Sequence, residues 1–146
     1  MENSYCSTAE RIILDVFSFL EKEGYIAEAK NIDDDSFIDK LQVKFVNDTI
    51  KREITVSYTK GIVEKEIRYT FSLSIVRLPF DWAVIDFISM HVYLFSIGKD
   101  FDTRMINHFD ESEAHVIVEK IAMALKTSLW EVVKGEIWLE GYYPRW

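Results

Sequence analysis

The stretch EIRYTFSLSIVRL (residues 66–78) decides the fold. Apolar Ile67, Tyr69, Phe71, Leu73 and Ile75 alternate with polar Arg68, Thr70, Ser72 and Ser74. A period of two sends successive side chains to opposite faces, so the pattern predicts a strand with one dry and one wet side. Working toward the N-terminus, IKREITVSYTK (50–60) alternates in the same way. Ile50, Ile54, Val56 and Tyr58 share a face, with Lys51, Glu53, Thr55 and Ser57 on the other; Arg52 interrupts the apolar face near its start. LQVKFVND (41–48) repeats the theme, with Leu41, Val43 and Phe45 inward and Gln42 and Lys44 outward. Asn47-Asp48 and Lys60-Gly61 are turn signals between the runs. Three alternating runs joined by short turns predict an antiparallel meander. Tyr25–Ala29 adds a short strand before it, and NIDDDS (31–36) reads as a turn.

Helical spacing flanks this sheet on both sides. In STAERIILDVFSFLEKEGY (7–25), Ile12, Ile13, Val16, Phe17 and Leu20 form one stripe, which predicts a helix over 8–23. Ser7 with Glu10 fits a capping box, and Gly24 fits the glycine that ends a helix. Asp110 is placed to cap a second helix, with Glu111 and Glu113 in its first turn and Lys134-Gly135 at its close. Its expected inner stripe is Val116, Ile117, Ile121, Ala124, Leu125 and either Leu129 or Trp130. Between sheet and second helix lies AVIDFISMHVYLFSIG (83–98), apolar on both faces. It is shorter than the roughly 20 residues of a membrane span and contains Asp86 and His91. A central strand over 89–97 is the favoured reading, with a buried helix as the alternative. GKDFDTRMINHFD (98–110) reads as a loop. The expected fold is therefore α+β. It has an antiparallel sheet of about four strands, with N-terminal and C-terminal amphipathic helices packed on one face. A single domain over 1–146 is expected, with 136–146 as an aromatic tail.

Composition narrows the function. The 146 residues are 49% hydrophobic, too rich for disorder. The single Cys6 allows no internal disulfide, and the acidic start is unlike a secretory signal, so a cytoplasmic protein is expected. The net charge is −8, and residues 1–40 hold ten acids against four bases. Such a field repels phosphate backbones, which argues against nucleic acid, and it steers a basic protein partner. Solubility alone also accounts for an acidic surface.

Reactive motifs are sparse. His91, His108 and His115 lack metal-ligand spacing, and one Cys leaves zinc without its usual set. Asp33, Asp35 and Asp39 resemble a calcium loop, but the loop glycine and the terminal Glu are missing. Asp100 and Asp102 form an isolated DxD pair that reads as a solvated loop. No GxSxG and no glycine-rich phosphate loop occurs. The expectation is a binding protein, with no catalytic residues, cofactor or metal. The ending SLWEVVKGEIWLEGYYPRW (128–146) is dense in aromatics. Trp138 and Leu139 fit a staple over the body, while Tyr142, Tyr143 and Trp146 fit exposed anchors for a partner.

The plan of helix, polar turn, alternating strands, helix and aromatic tail resembles the small acidic immunity proteins of bacterial polymorphic-toxin and contact-dependent inhibition systems. FSFLEKEGYIAEA (17–29) and VVKGEIWLEG (132–141) are similar in style to their corresponding segments. The resemblance lies in architecture, and no invariant motif travels with it. It implies a cognate basic toxin domain blocked by an acidic surface. On that reading Asp33, Asp34, Asp35 and Asp39 make the contact, Glu21, Glu23 and Glu28 form an outer electrostatic ring, and Tyr142, Tyr143 and Trp146 anchor it. The chain also resembles secretion chaperones of the type III kind, which implies a homodimer holding an effector segment. A small-ligand site or an enzyme is the third class left open.

Overall fold

The computed structural model describes residues 4–33, 39–79, 86–99, 101 and 106–139. In chain order these form α1 (Ser4–Val16), α2 (Phe19–Lys22), β1 (Ile26–Asp33), β2 (Asp39–Asn47), β3 (Arg52–Val63) and β4 (Glu66–Arg77). They are followed by β5 (Phe87–Ser89), α3 (Met90–Ser96), β6 (Ile106–Asn107), α4 (Glu111–Ser128) and α5 (Trp130–Val133). The fold is α+β, as expected. Its sheet runs β1-β2-β3-β4-β5 with every pair antiparallel, and the two residues of β6 pair with β4 beside β5. Five strands stand in the row rather than about four, and β1 is longer than expected, extending through Asp33.

The register shows why the meander forms. Phe45, Ile54 and Ile75 lie side by side across β2, β3 and β4; so do Val43, Val56 and Leu73, and Leu41, Tyr58 and Phe71. All nine are buried beneath the helices. The opposite rows, Lys44–Thr55–Ser74 and Gln42–Ser57–Ser72, remain partly exposed. Lys60-Gly61 does not turn the chain, contrary to expectation: β3 continues through it, with Gly61 opposite Arg68. The turn falls at Glu64-Lys65, whose φ values of 51° and 67° join Val63 to Glu66 in a two-residue hairpin. Positive φ at both central residues is the type I′ geometry that suits strand twist. Strand pairing here overrides the local preference for glycine.

The single helix expected over 8–23 is two. α1 starts at Ser4, so Ser7 is an exposed interior residue of the helix and not its cap. The chain then tightens at Phe17-Ser18: Leu20 N–H donates to Phe17 O, and Glu21 N–H to Ser18 O. Such i→i+3 bonds wind the turn more closely than an α-helix. Phe17 is buried, with its ring 5.9 Å from that of Phe45. Gly24, at φ 94°, ends the element as expected.

α4 is capped by Asp110, whose side chain accepts from Glu113 N–H at 3.2 Å. Its buried residues are Ala114, Val118, Ile121, Ala122 and Leu125. The expected stripe was rotated: Val116 is exposed, while Ile117 and Ala124 are half-buried. Ala114 and Ala122 lie inward, and Ala122 sits beside Asp15 and Val16 of α1, where a small side chain permits close approach of the two helices. Leu129 is buried at a break, and α5 follows.

The expected central strand over 89–97 is corrected. Only Phe87–Ser89 pairs with β4, and Met90–Ser96 is helical. Met90 and Leu94, one helical turn apart, reach the core, whereas Phe95 is exposed, so the run is not buried on both sides. The expected loop at 98–110 contains β6. Just beyond it, Phe109 sets its ring edge-on to Tyr58 and Tyr69, which stack on each other at 5.4 Å. Among the described residues no helix is long and apolar enough to cross a membrane.

Candidate interaction surface

Arg52, the charge that interrupts an apolar run, is buried. Its guanidinium donates to Val132 O (3.1 Å), Ile137 O (3.1 Å), Ile50 O (3.2 Å) and Lys51 O (3.2 Å). Burial lowers its pKa from the usual arginine value, yet four carbonyl dipoles meet its donors. Trp138 sits against it, with the Arg52 Cζ 4.9 Å and the Arg77 Cζ 5.2 Å from the ring centroid. Arg77 in turn pairs with Asp86 at 2.8 Å. Tyr25 donates its buried hydroxyl to Val133 O at 2.5 Å, and burial pushes its pKa well above the usual phenol value. Asn47 donates to Glu23 O and accepts from Thr49 N–H and Ile50 N–H. Arg52 thus clamps α5 and the segment after it to the start of β3, Tyr25 ties the end of α5 to the start of β1, and Asn47 ties the end of α2 to the β2–β3 turn. Trp138 and Leu139 do fold back against the core as a staple.

On the outer side of the helices a shallow groove separates α1 and α2 from α4 and α5. Its first part holds about 350 Å³ between Asp15, Val16, His115, Glu119, Ala122, Met123 and Lys126. Its second part holds about 340 Å³ between Phe19, Lys22, Glu23, Lys126 and Trp130. Lys126 lines both. The rings of Phe19 and Trp130 lie 5.9 Å apart, and the Lys126 ammonium stands 4.1 Å from the Phe19 centroid. His115 pairs with Glu119 at 2.8 Å on the rim. Two half-buried aromatics and an exposed Met123, framed by charge, make a surface suited to protein contact.

The sequence-predicted contact residues fall in different places. Asp33 and Asp39 face each other across the β1–β2 pair. Asp34 and Asp35 lie outside the described residues, as do Tyr142, Tyr143 and Trp146. Glu21 is exposed on α2, and Glu23 follows it. Glu28 is exposed on β1, opposite Lys44. The strand rises about 24 Å from Ile26 to Asp33 at ~3.4 Å per residue, so Glu21 and Glu23 stand at one end of the sheet and Asp33 and Asp39 at the other. Phe19 has no place in the expected stripes, and Trp130 stands there only as the alternative to Leu129 on the inner face of the second helix. Phe19 falls off the main stripe of its helix, and Leu129 and Trp130 are adjacent and so cannot both face inward. Those two departures were the available signal.

Among the described residues no three His, Cys, Asp or Glu side chains gather as a metal site would require. The arrangement offers recognition chemistry: aromatic faces, a rim of carboxylates, and backbone held by a buried cation. No family model, curated protein or solved structure matches the chain.

Proposed function

We propose that this protein is a non-enzymatic, immunity-type inhibitor that neutralises a basic partner through the acidic outer face of its helices. The observation that carries the reading is the division of charge between layers. Residues 4–25 and 110–139, which hold α1, α2, α4 and α5, contain ten acids and five bases. The described strands β1 to β4 with the turns joining β2, β3 and β4 contain seven acids and nine bases. The negative field therefore points out from the helical side, where it accelerates the encounter with a positive surface and orients it. The groove between the helix pairs supplies Phe19 and Trp130 as the apolar centre of the contact. Asp33 and Asp39, register partners at the far end of β1 and β2, extend the acidic reach toward the same partner; Asp34 and Asp35 belong to the same proposal and lie outside the described residues.

The experiment is a pull-down from host lysate at moderate salt. Each captured basic protein is then expressed alone, and its activity is measured with and without an excess of this chain. One stoichiometric partner whose activity is silenced supports the reading. Phe19→Ala with Trp130→Ala should then speed dissociation, and reversal of Glu21, Glu23 and Glu119 to Lys should slow association. No partner, or a partner whose activity is untouched, overturns it.

A further inference from the structure

The outer edge of β1 is unpaired among the described residues, and its sequence is complementary to itself. β1 closes one side of the sheet, with β2 as its one paired neighbour among the described residues. Glu28 and Ala29 are exposed, and Ile26 is 76% exposed although it is a large apolar residue. A long open edge is a template for another strand, and proteins either protect it or use it. We infer that β1 pairs antiparallel with β1 of a second copy about a two-fold axis at Ala29, joining two sheets into one.

Strand geometry and charge select this register. With the axis perpendicular to the sheet, residues directly opposite must share a face, so the axis passes through a residue position and not between two. Centred on Glu28, the pairing sets glutamate against glutamate; centred on Lys30, it sets lysine against lysine. Centred on Ala29, Glu28 of each copy stands opposite Lys30 of the other, and the seam contains two such pairs. The same register places Ile26 opposite Ile32 and Ala27 opposite Asn31. The sequence IAEAKNI (26–32) thus gives each end of the seam an apolar pair and its middle two opposite-charge pairs flanking a small residue. Across the chain's own sheet, Glu28 lies opposite Lys44 and Lys30 opposite Gln42, so no like charges adjoin in either row. Directly opposed strand residues are close enough for such pairs to stabilise and for like charges to repel.

The inference is independent of the inhibitor reading, since β1 lies at the side of the sheet and the helical face stays open in the pair. Sedimentation velocity on the full chain, from micromolar to near-millimolar concentration, tests it. A reversible dimer is expected. Glu28→Lys alone and Lys30→Glu alone each set like charges opposite, and should weaken the dimer by at least about tenfold. Mixing these two variants in equal amounts should restore a dimer, because each charge then meets its opposite. In a Cys6→Ser background, Ala29→Cys should cross-link two copies on mild oxidation and Ala27→Cys should not. Far-UV circular dichroism checks that each variant keeps its sheet. A monomer at every concentration overturns the inference. So does a dimer indifferent to both single reversals, or one that cross-links equally through position 27.

Discussion

Replacing Arg52 by Met keeps most of the aliphatic volume and removes all the donors beneath the C-terminal segment. The bond from Nε to Val132 O is buried, and those to Ile137, Ile50 and Lys51 are partly buried. A hydrogen bond from a charged group contributes about 1.5–3 kcal/mol, so the buried bond and the partly wet ones together contribute about 3–4 kcal/mol. The stacking on Trp138 adds ~0.5–1 kcal/mol. Methionine recovers part of the cost of burying a cation, which brings the net loss to about 2–4 kcal/mol. For a domain of this size that is a fall in Tm of about 10 °C. Urea unfolding followed by far-UV circular dichroism gives the stability, and amide exchange gives the location. Protection should fall first over Val133–Leu139 while the amides of β3 and β4 stay slow. Arg52→Lys, which keeps the charge without the planar fork, should fall between the two. A variant within about 1 kcal/mol of wild type, still protected at Ile137–Leu139, would refute the clamp.

Three further outcomes follow from other contacts. Tyr25→Phe removes the bond to Val133 O and should cost about 1 kcal/mol at neutral pH, read by urea unfolding. The Tyr25 phenol is raised above its ordinary value by burial first, so the folded state holds that proton longer than the unfolded chain. Its stabilisation is complete below about pH 10 and is lost as pH rises further, and Tyr25→Phe should flatten that alkaline slope. Glu64→Asn with Lys65→Gly suits the two positive-φ positions of the β3–β4 hairpin and should raise stability by about 1 kcal/mol or more in the same assay. Asp110→Ala removes the cap of α4 and should cost about 1 kcal/mol, with faster amide exchange confined to its first turn.

The meander could be read in the sequence because one face is dry and the other wet. Under that condition a period of two is a direct print of burial, and Leu41, Val43, Phe45, Ile54, Val56, Tyr58, Phe71, Leu73 and Ile75 all lie inward. The Asp110 cap and the glycine after α2 were readable because each answers a local backbone need. The 83–98 segment was not, since a continuous apolar run has no phase: β5 runs from Phe87 opposite Val76 to Ser89 opposite Ser74, and the chain then turns into α3 although β4 continues to Glu66. The α4 stripe holds at Ile121 and Leu125, but bulk does not predict burial at the other positions: the small Ala114 and Ala122 lie inside and the larger Val116 outside. Of the candidate surface, the acidic bias of the first forty residues was plain, but the groove depends on two helix breaks and on tertiary packing. Arg52 looked like an interruption because its partners, Val132 and Ile137, lie 80 and 85 residues away in sequence.

That separation bears on how the chain is made. Residues 26–77 supply four strands whose links to one another are all between sequence neighbours, so they can pair as they leave the ribosome. Their apolar side is then only partly covered, because α4 and two of the four carbonyls that receive the Arg52 guanidinium, those of Val132 and Ile137, emerge later. For the time it takes to translate from β4 to Leu139, at ~5–20 residues per second, a greasy sheet face and a still-hydrated Arg52 guanidinium wait together in the nascent chain. Holding proteins that recognise exposed apolar strands would act in that interval, and shortening the C-terminal segment would prolong it.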